Sequence, residues 1–142
     1  MEKKYKLTEE SINYCSKILY RIEALKDFDD VKKGDMGGYV QSEDNLSQEG
    51  NCWVFGNAWV YDNAVVCGNA EIKNNTDYIV FKNWWSSGRY FTWTKSNNMW
   101  RVGCFYGTGE ELIAKAYKDS EISGREYKRV VDYVESILQD NK

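Results

Sequence analysis

The sequence predicts an α+β protein: a short left-handed β-helix of hexapeptide repeats, then a small antiparallel sheet followed by two C-terminal helices. Three observations carry that expectation. Four six-residue units stand in register over residues 50–73, reading GNCWVF, GNAWVY, DNAVVC and GNAEIK. Three aromatic-rich segments after residue 76 have the composition and spacing of strands. Two later segments open on Ser/Thr-x-x-Glu capping boxes, and the second carries an apolar stripe.

In the repeats, Asn recurs at 51, 57, 63 and 69. A small residue recurs at Cys52, Ala58, Ala64 and Ala70, and an aliphatic at Val54, Val60, Val66 and Ile72. Helices need apolar periods near 3.6 and strands near 2, so a strict six is neither. Fixed-period self-similarity marks a solenoid. The small and aliphatic positions then point into a narrow coil, and Gly or Asp followed by Asn turns each corner, since these residues tolerate left-handed backbone angles. A run of hairpins with Gly-Asn turns is the alternative. Trp53, Phe55, Trp59 and Tyr61 fall on outward sites, to be covered by the C-terminal half, by a second subunit, or by both.

Upstream, residues 17–25 (KILYRIEAL) alternate as a strand with Ile18, Tyr20, Ile22 and Ala24 on one face. Residues 8–14 read as helix-like or turn, because TEES resembles a cap through Thr8 and Ser11. Gly34, Gly37 and Gly38 mark bends. Val40 and Leu46, six apart, start the solenoid ahead of an irregular insertion. The chain divides at residues 1–76 (N-terminal strand plus β-helix) and 77–142 (an aromatic- and arginine-rich ligand-binding region), the two forming one compact unit.

Composition narrows the chemistry. The chain has no histidine, which removes Ser-His-Asp and Cys-His nucleophile systems and the base used by acyltransferases built on hexapeptide repeats. Cys15, Cys52, Cys67 and Cys104 show no metal-ligand spacing and read as buried thiols, so neither a metal nor a cofactor is expected. No apolar run approaches membrane-spanning length. MEKKYKLTEE lacks the apolar core of a signal peptide, which predicts a cytoplasmic protein. Residues 1–76 hold 9 Lys/Arg against 13 Asp/Glu, a poor balance for nonspecific duplex binding.

In the second half, residues 77–81 (DYIVF), 89–95 (RYFTWTK) and 99–106 (MWRVGCFY) read as three strands. Helices open at Thr108 (box with Glu111) and Ser123 (box with Glu126). The second helix carries Tyr127, Val130, Val131, Val134 and Leu138 as its stripe. Ten aromatics lie between Tyr78 and Tyr106, interleaved with Arg89, Lys95 and Arg101. A sheet with a core on one side needs about half of them. The rest, beside guanidinium groups and two helix N-termini, suit a nucleotide. Alternatively the rings are core and the arginines solvated, although the paired tryptophans of KNWWSSGR are costly to expose and odd as pure core.

Segments LYRIEALKDFDDVKKGDMGGYV, DNLSQEGNCWVFGNAWVY and VGCFYGTGEEL resemble a family of small phage proteins with GNA-type repeats, most closely the phage anti-Thoeris proteins. The resemblance implies a β-helix sponge that binds glycocyclic ADP-ribose, a cyclic ADP-ribose-derived signal made by TIR enzymes, without cleaving it. It implies host-cytoplasmic action, a homo-oligomer of two or more subunits, and in some members cyclic oligonucleotides at a second site. It implies neither a catalytic residue nor a membrane or specific nucleic-acid partner. Carried onto this chain, Phe81, Trp84 or Trp85 would stack the adenine, while Arg89, Arg101, Arg125 and Arg129 would hold the pyrophosphate and riboses. Arg125 and Arg129 share a helix face, which reads equally as a solvated face with Glu126 and Asp132 nearby. The competing functions are an enzyme degrading the same signal, a phage structural or assembly protein with a β-helix oligomerisation surface, and a single-strand nucleic-acid binder.

Overall fold

The computed structural model describes residues 2–140. The chain opens with a hairpin of β1 (Tyr5–Tyr14) and β2 (Lys17–Ala24), followed by β3 (Met36–Val40). Two-residue strands β4 (Trp53–Val54), β5 (Trp59–Val60) and β6 (Glu71–Ile72) follow. Then come β7 (Tyr78–Lys82), β8 (Tyr90–Thr94), β9 (Met99–Val102) and β10 (Phe105–Gly107). Helices α1 (Gly109–Asp119) and α2 (Glu121–Asp140) close the described chain. The strands form three sheets, ordered β1-β2-β3-β5, β10-β9-β8-β7 and β4-β6.

The left-handed β-helix expected over residues 50–73 is therefore not the architecture found. The protein is mostly sheet, mixed and antiparallel, with two C-terminal helices. The repeats are too few to pair mainly with one another. Only the first and fourth do so, Trp53 with Glu71 and Val54 with Ile72 in parallel. The second pairs instead with β3, outside the repeats (Tyr39 with Trp59, Val40 with Val60), and the third makes one parallel bridge, Leu46 to Val66. Corners at Gly50, Gly56, Asp62 and Gly68, all at positive φ, cut every strand short.

Burial within the repeats does follow the period of six. Cys52, Ala58, Ala64 and Ala70 are at most 4% exposed, and Val54, Val60, Val66 and Ile72 are fully buried. Rings of the N-terminal segments meet three of the flanking aromatics, and Tyr78 and Val80 of the C-terminal half also pack against the repeat cluster. Trp53 packs edge-on to Tyr5 and Phe28 (6.1 and 5.2 Å between ring centres), and Tyr14 lies against Trp59 and Tyr61 (4.7 and 5.6 Å).

The N-terminal hairpin corrects two expectations. Residues 8–14 are strand, because Cys15 and Ser16, both at positive φ, make a tight two-residue turn that sends β2 back along them. The Thr8 hydroxyl, read as a cap, donates across the hairpin to the Arg21 carbonyl (2.8 Å). Facing also differs in the first half of β2, where Leu19 is buried and Ile18 is 48% exposed, beyond the β1 irregularity between Leu7 and Ser11. Gly37 and Gly38 lie inside β3 rather than at a bend. A Cβ on Gly38 would collide with the Ala58 carbonyl oxygen, so this strand packs backbone to backbone on the repeats.

The four-stranded antiparallel sheet has the helices on one face and the repeats against part of the other, and Tyr90 and Tyr106 stay exposed. Phe91, Trp93 and Trp100 bury against Leu112, Ala116, Tyr127, Val131 and Val134 of the helices. On the opposite face the Thr92 hydroxyl accepts from the backbone N–H of Val65 in the repeats (2.9 Å). The segment read as one third strand is two, β9 and β10, joined at Gly103 (positive φ) and Cys104. Cys15 and Cys104, expected buried, are exposed at hairpin tips, while Cys52 and Cys67 are buried. The Thr108–Glu111 capping box forms in both directions. Ser123, however, lies inside α2, which begins at Glu121, and it is the Ser120 hydroxyl that accepts from the Ser123 N–H (3.0 Å).

Candidate functional site

The loop joining β7 to β8 holds the paired tryptophans, and Asn83 builds it. This buried side chain accepts from the N–H groups of Trp85 (3.2 Å) and Ser86 (2.9 Å) and from the Ser86 hydroxyl (3.2 Å). Its amide nitrogen donates to the Tyr127 hydroxyl of α2 (3.4 Å). Trp85 is thereby held edge-on to Tyr127 (4.9 Å), and its indole N–H donates to Ser123 Oγ (3.1 Å). Trp84 turns the other way. It stands edge-on to Trp85 (5.9 Å) and is 72% exposed, the highest exposure among the large apolar residues. The loop thus fixes one indole as an anchor and presents the other to solvent.

The remaining residues named from the sequence fall into separate groups. Phe81 belongs to the second core, stacked on Phe91 (5.7 Å) and near Trp100 (5.9 Å), so its faces are already in use. Arg89 is exposed at the end of the same loop, and its guanidinium lies against Gly103. Its positive charge also reaches Tyr127, whose phenol is nevertheless held above the ordinary value, chiefly by burial. Arg101 donates from Nε to the Gly103 carbonyl (2.6 Å) and hydrogen-bonds Cys67, opposing the rise that burial imposes on that thiol. Arg125 and Arg129 both turn to Glu126, a buried carboxylate, at 3.7 and 2.8 Å. Their partner is thus a core-side acid on their own helix, and Asp132 pairs instead with Lys128 (2.8 Å).

The structure therefore puts Trp84 and Trp85 on one loop that ends at Arg89, with Ser123 of α2 against Trp85. The guanidinium groups of Arg89 and Arg101 both lie at Gly103, whereas Phe81 packs among the rings of the sheet and Arg125 and Arg129 turn to Glu126. At the helix starts, the Glu111 carboxylate accepts from the N–H of Thr108, the Thr108 hydroxyl from that of Glu111, and the Ser120 hydroxyl from that of Ser123. Asn83, Ser123 and Tyr127, which position the tryptophans, were missed as functional residues. An Asn directly ahead of a Ser/Gly-rich loop is the signal that marks the first of them.

A second concave feature lies at the seam between the repeats and the four-stranded sheet. This cleft of about 330 Å³ is lined by Tyr61, Asp62, Asn63, Tyr78, Val80 and Tyr90, and none of the seven sequence-derived residues lines it. Lys17 pairs with Asp62 (3.3 Å) and lies over the Tyr61 ring, while Lys82 lies over Tyr90. Tyr78 donates its hydroxyl to the Trp59 carbonyl (2.9 Å), and burial pushes its phenol far above the ordinary value.

Among the described residues no group of three or more His, Cys, Asp and Glu side chains could hold a metal ion, and no helix is long and apolar enough to cross a membrane. No protein-family model matches the chain. A 61-residue stretch is 38% identical to a protein of Escherichia coli (strain K12) described as the uncharacterized acetyltransferase YdcK. That similarity covers 37% of this chain and 19% of the E. coli protein, so the chain spans about a fifth of the relative it matches.

Proposed function

We propose that this chain binds a cyclic ADP-ribose-derived nucleotide, of the glycocyclic ADP-ribose class, and holds it without cleavage. Acting in the host cytoplasm, it would deprive an antiphage effector of its TIR-generated activator, as the resemblance to the anti-Thoeris proteins implies. The supporting observation is the tryptophan loop, where Trp84 stands 72% exposed on a backbone that a buried asparagine holds rigid. An exposed indole anchored by its loop offers a flat face on which a base can stack. Arg89, at the end of that loop, and Arg101, which shares Gly103 with it, supply guanidinium groups for a pyrophosphate. Stacking on one ring contributes roughly 1–3 kcal/mol.

Two other readings have specific observations behind them. Ile122 (52% exposed) and Tyr117 (42%), near the turn between the helices, suit subunit packing in a phage structural or assembly protein. The description of the E. coli relative raises acyl transfer, but this chain has no histidine to act as the base.

A depletion assay separates them. Purified protein is mixed with glycocyclic ADP-ribose, removed by ultrafiltration, and then heated. Loss of free ligand followed by recovery of the intact molecule supports sequestration, and Trp84→Ala should weaken capture about 5- to 150-fold. Recovery of a different product would establish an enzyme. Ligand that stays free throughout would refute nucleotide capture and leave the assembly reading.

A further inference from the structure

Lys4 is fully buried, and its ammonium has no carboxylate partner among the described residues. Its Nζ donates to the carbonyls of Gly50 (3.2 Å) and Cys52 (2.7 Å) and to the Cys52 thiol (3.4 Å), and sits 5.0 Å from the centre of the Phe28 ring. The Cys52 Sγ is likewise enclosed, with the carbonyls of Ser47, Glu49 and Val66 each 3.7 Å away. Buried charges are normally paired, and here the one ionisable group within hydrogen-bond reach is a thiol. Burial lowers the lysine pKa and raises that of the cysteine, so both are driven toward their neutral forms. A neutral amine is a nucleophile, whereas an ammonium is not. A cleft of about 670 Å³ has in its wall Phe28 and Gly50, which both contact the Lys4 ammonium.

We propose that Lys4 Nζ and Cys52 Sγ are a modification site, forming a covalent nitrogen–sulfur cross-link when hydrogen peroxide reaches them. The amine takes the thiol proton, and the thiolate attacks one peroxide oxygen. The O–O bond breaks, giving a sulfenic acid and hydroxide, which recovers the proton from the ammonium as water. The amine then attacks the sulfenic sulfur, a second water leaves, and the S–N bond forms. One thiol, one amine and one peroxide give one sulfenamide and two waters, the sulfur losing two electrons and the peroxide gaining them. The link ties the residue preceding β1 to the first repeat, 48 positions away.

The test uses the whole protein, with the exposed Cys15 and Cys104 replaced by Ser so that they do not consume oxidant. After stoichiometric peroxide it is digested without reductant and mapped by mass spectrometry. The expected product is a peptide pair joined through Lys4 and Cys52, lighter by two hydrogens (about 2 Da) and released by dithiothreitol. Cys67, also buried, gives the same mass loss if it forms a disulfide with Cys52, so the fragment ions decide between the two. Persistence of the loss in Cys67→Ala supports the cross-link, as does its absence in Lys4→Arg. Cys52 recovered as free thiol or sulfinic acid, or joined to Cys67, overturns it. The wild-type lysine and Cys67 suffice for that decision should either substitution prevent folding.

Discussion

Lys4 shows how one side chain sets a measurable pH dependence. Desolvation holds its folded-state pKa below the ordinary lysine value of 10.5, because water is replaced by two carbonyls, a thiol and a ring. Between the folded pKa and 10.5 the unfolded chain binds a proton that the folded chain does not, so this residue's contribution to stability rises with pH there. Tyr5 acts oppositely. Its phenol donates to the Leu46 carbonyl (2.6 Å) and is pushed far up by burial, so its contribution is intact below the ordinary value of 10.0 and is lost as pH rises past it. Chemical denaturation from pH 7 to 10 should show wild type gaining on Lys4→Met by at most about 1.4 kcal/mol per pH unit, the one-proton limit. A flat difference across that range would mean that the folded lysine keeps its proton up to pH 10. No sequence pattern announces this site. Lys4 sits in a charged, polar N-terminus, and its burial depends on contacts more than forty positions away.

Among the elements, the repeat region was the most legible and also the most misread. Its inward positions are visible in the sequence because burial of small and aliphatic side chains repeats locally every six residues. Its pairing was not, because whether a repeat stacks on another repeat or on β3 depends on which chain lies one layer away. Gly38 decides that layer, since it lets the β3 backbone close on Ala58. Gly38→Ala should therefore cost about 1–3 kcal/mol through overpacking, read as a lower denaturation midpoint with unchanged slope. The α1 cap is the contrasting case, a local device that the sequence shows outright. Thr108→Ala, which removes the acceptor for the Glu111 N–H, should cost about 0.5–2 kcal/mol. The loop site was half legible, with the tryptophans and Arg89 evident. Phe81 was lost to the core because the helices cover its face of the sheet.

At the scale of the whole molecule, two apolar clusters meet across a seam where Tyr78 and Val80 pack on the first cluster and polar side chains bridge to its backbone. One gathers the N-terminal strands and repeats, the other the four-stranded sheet and helices. Their joint is a set of side chains from the second half that satisfy backbone groups of the first. Thr92 accepts from Val65 N–H (2.9 Å), Ser96 from Glu71 N–H (2.8 Å), and Tyr78 donates to the Trp59 carbonyl (2.9 Å). Short strands leave many such groups without a ladder partner, and burying one unpaired is expensive. The second half therefore completes the hydrogen bonding of the first while packing a core of its own. Thr92 is 1% exposed, so Thr92→Val, close in shape but without an acceptor, should cost about 1–3 kcal/mol. The more exposed Ser96→Ala should cost about 0.5–1.5 kcal/mol. Hydrogen exchange resolves where the loss falls. If the seam couples the clusters, Thr92→Val lowers protection at Val54 and Val60 of the repeats as much as at Trp93 and Trp100 of the sheet. A loss confined to the sheet would show that the two cores unfold independently.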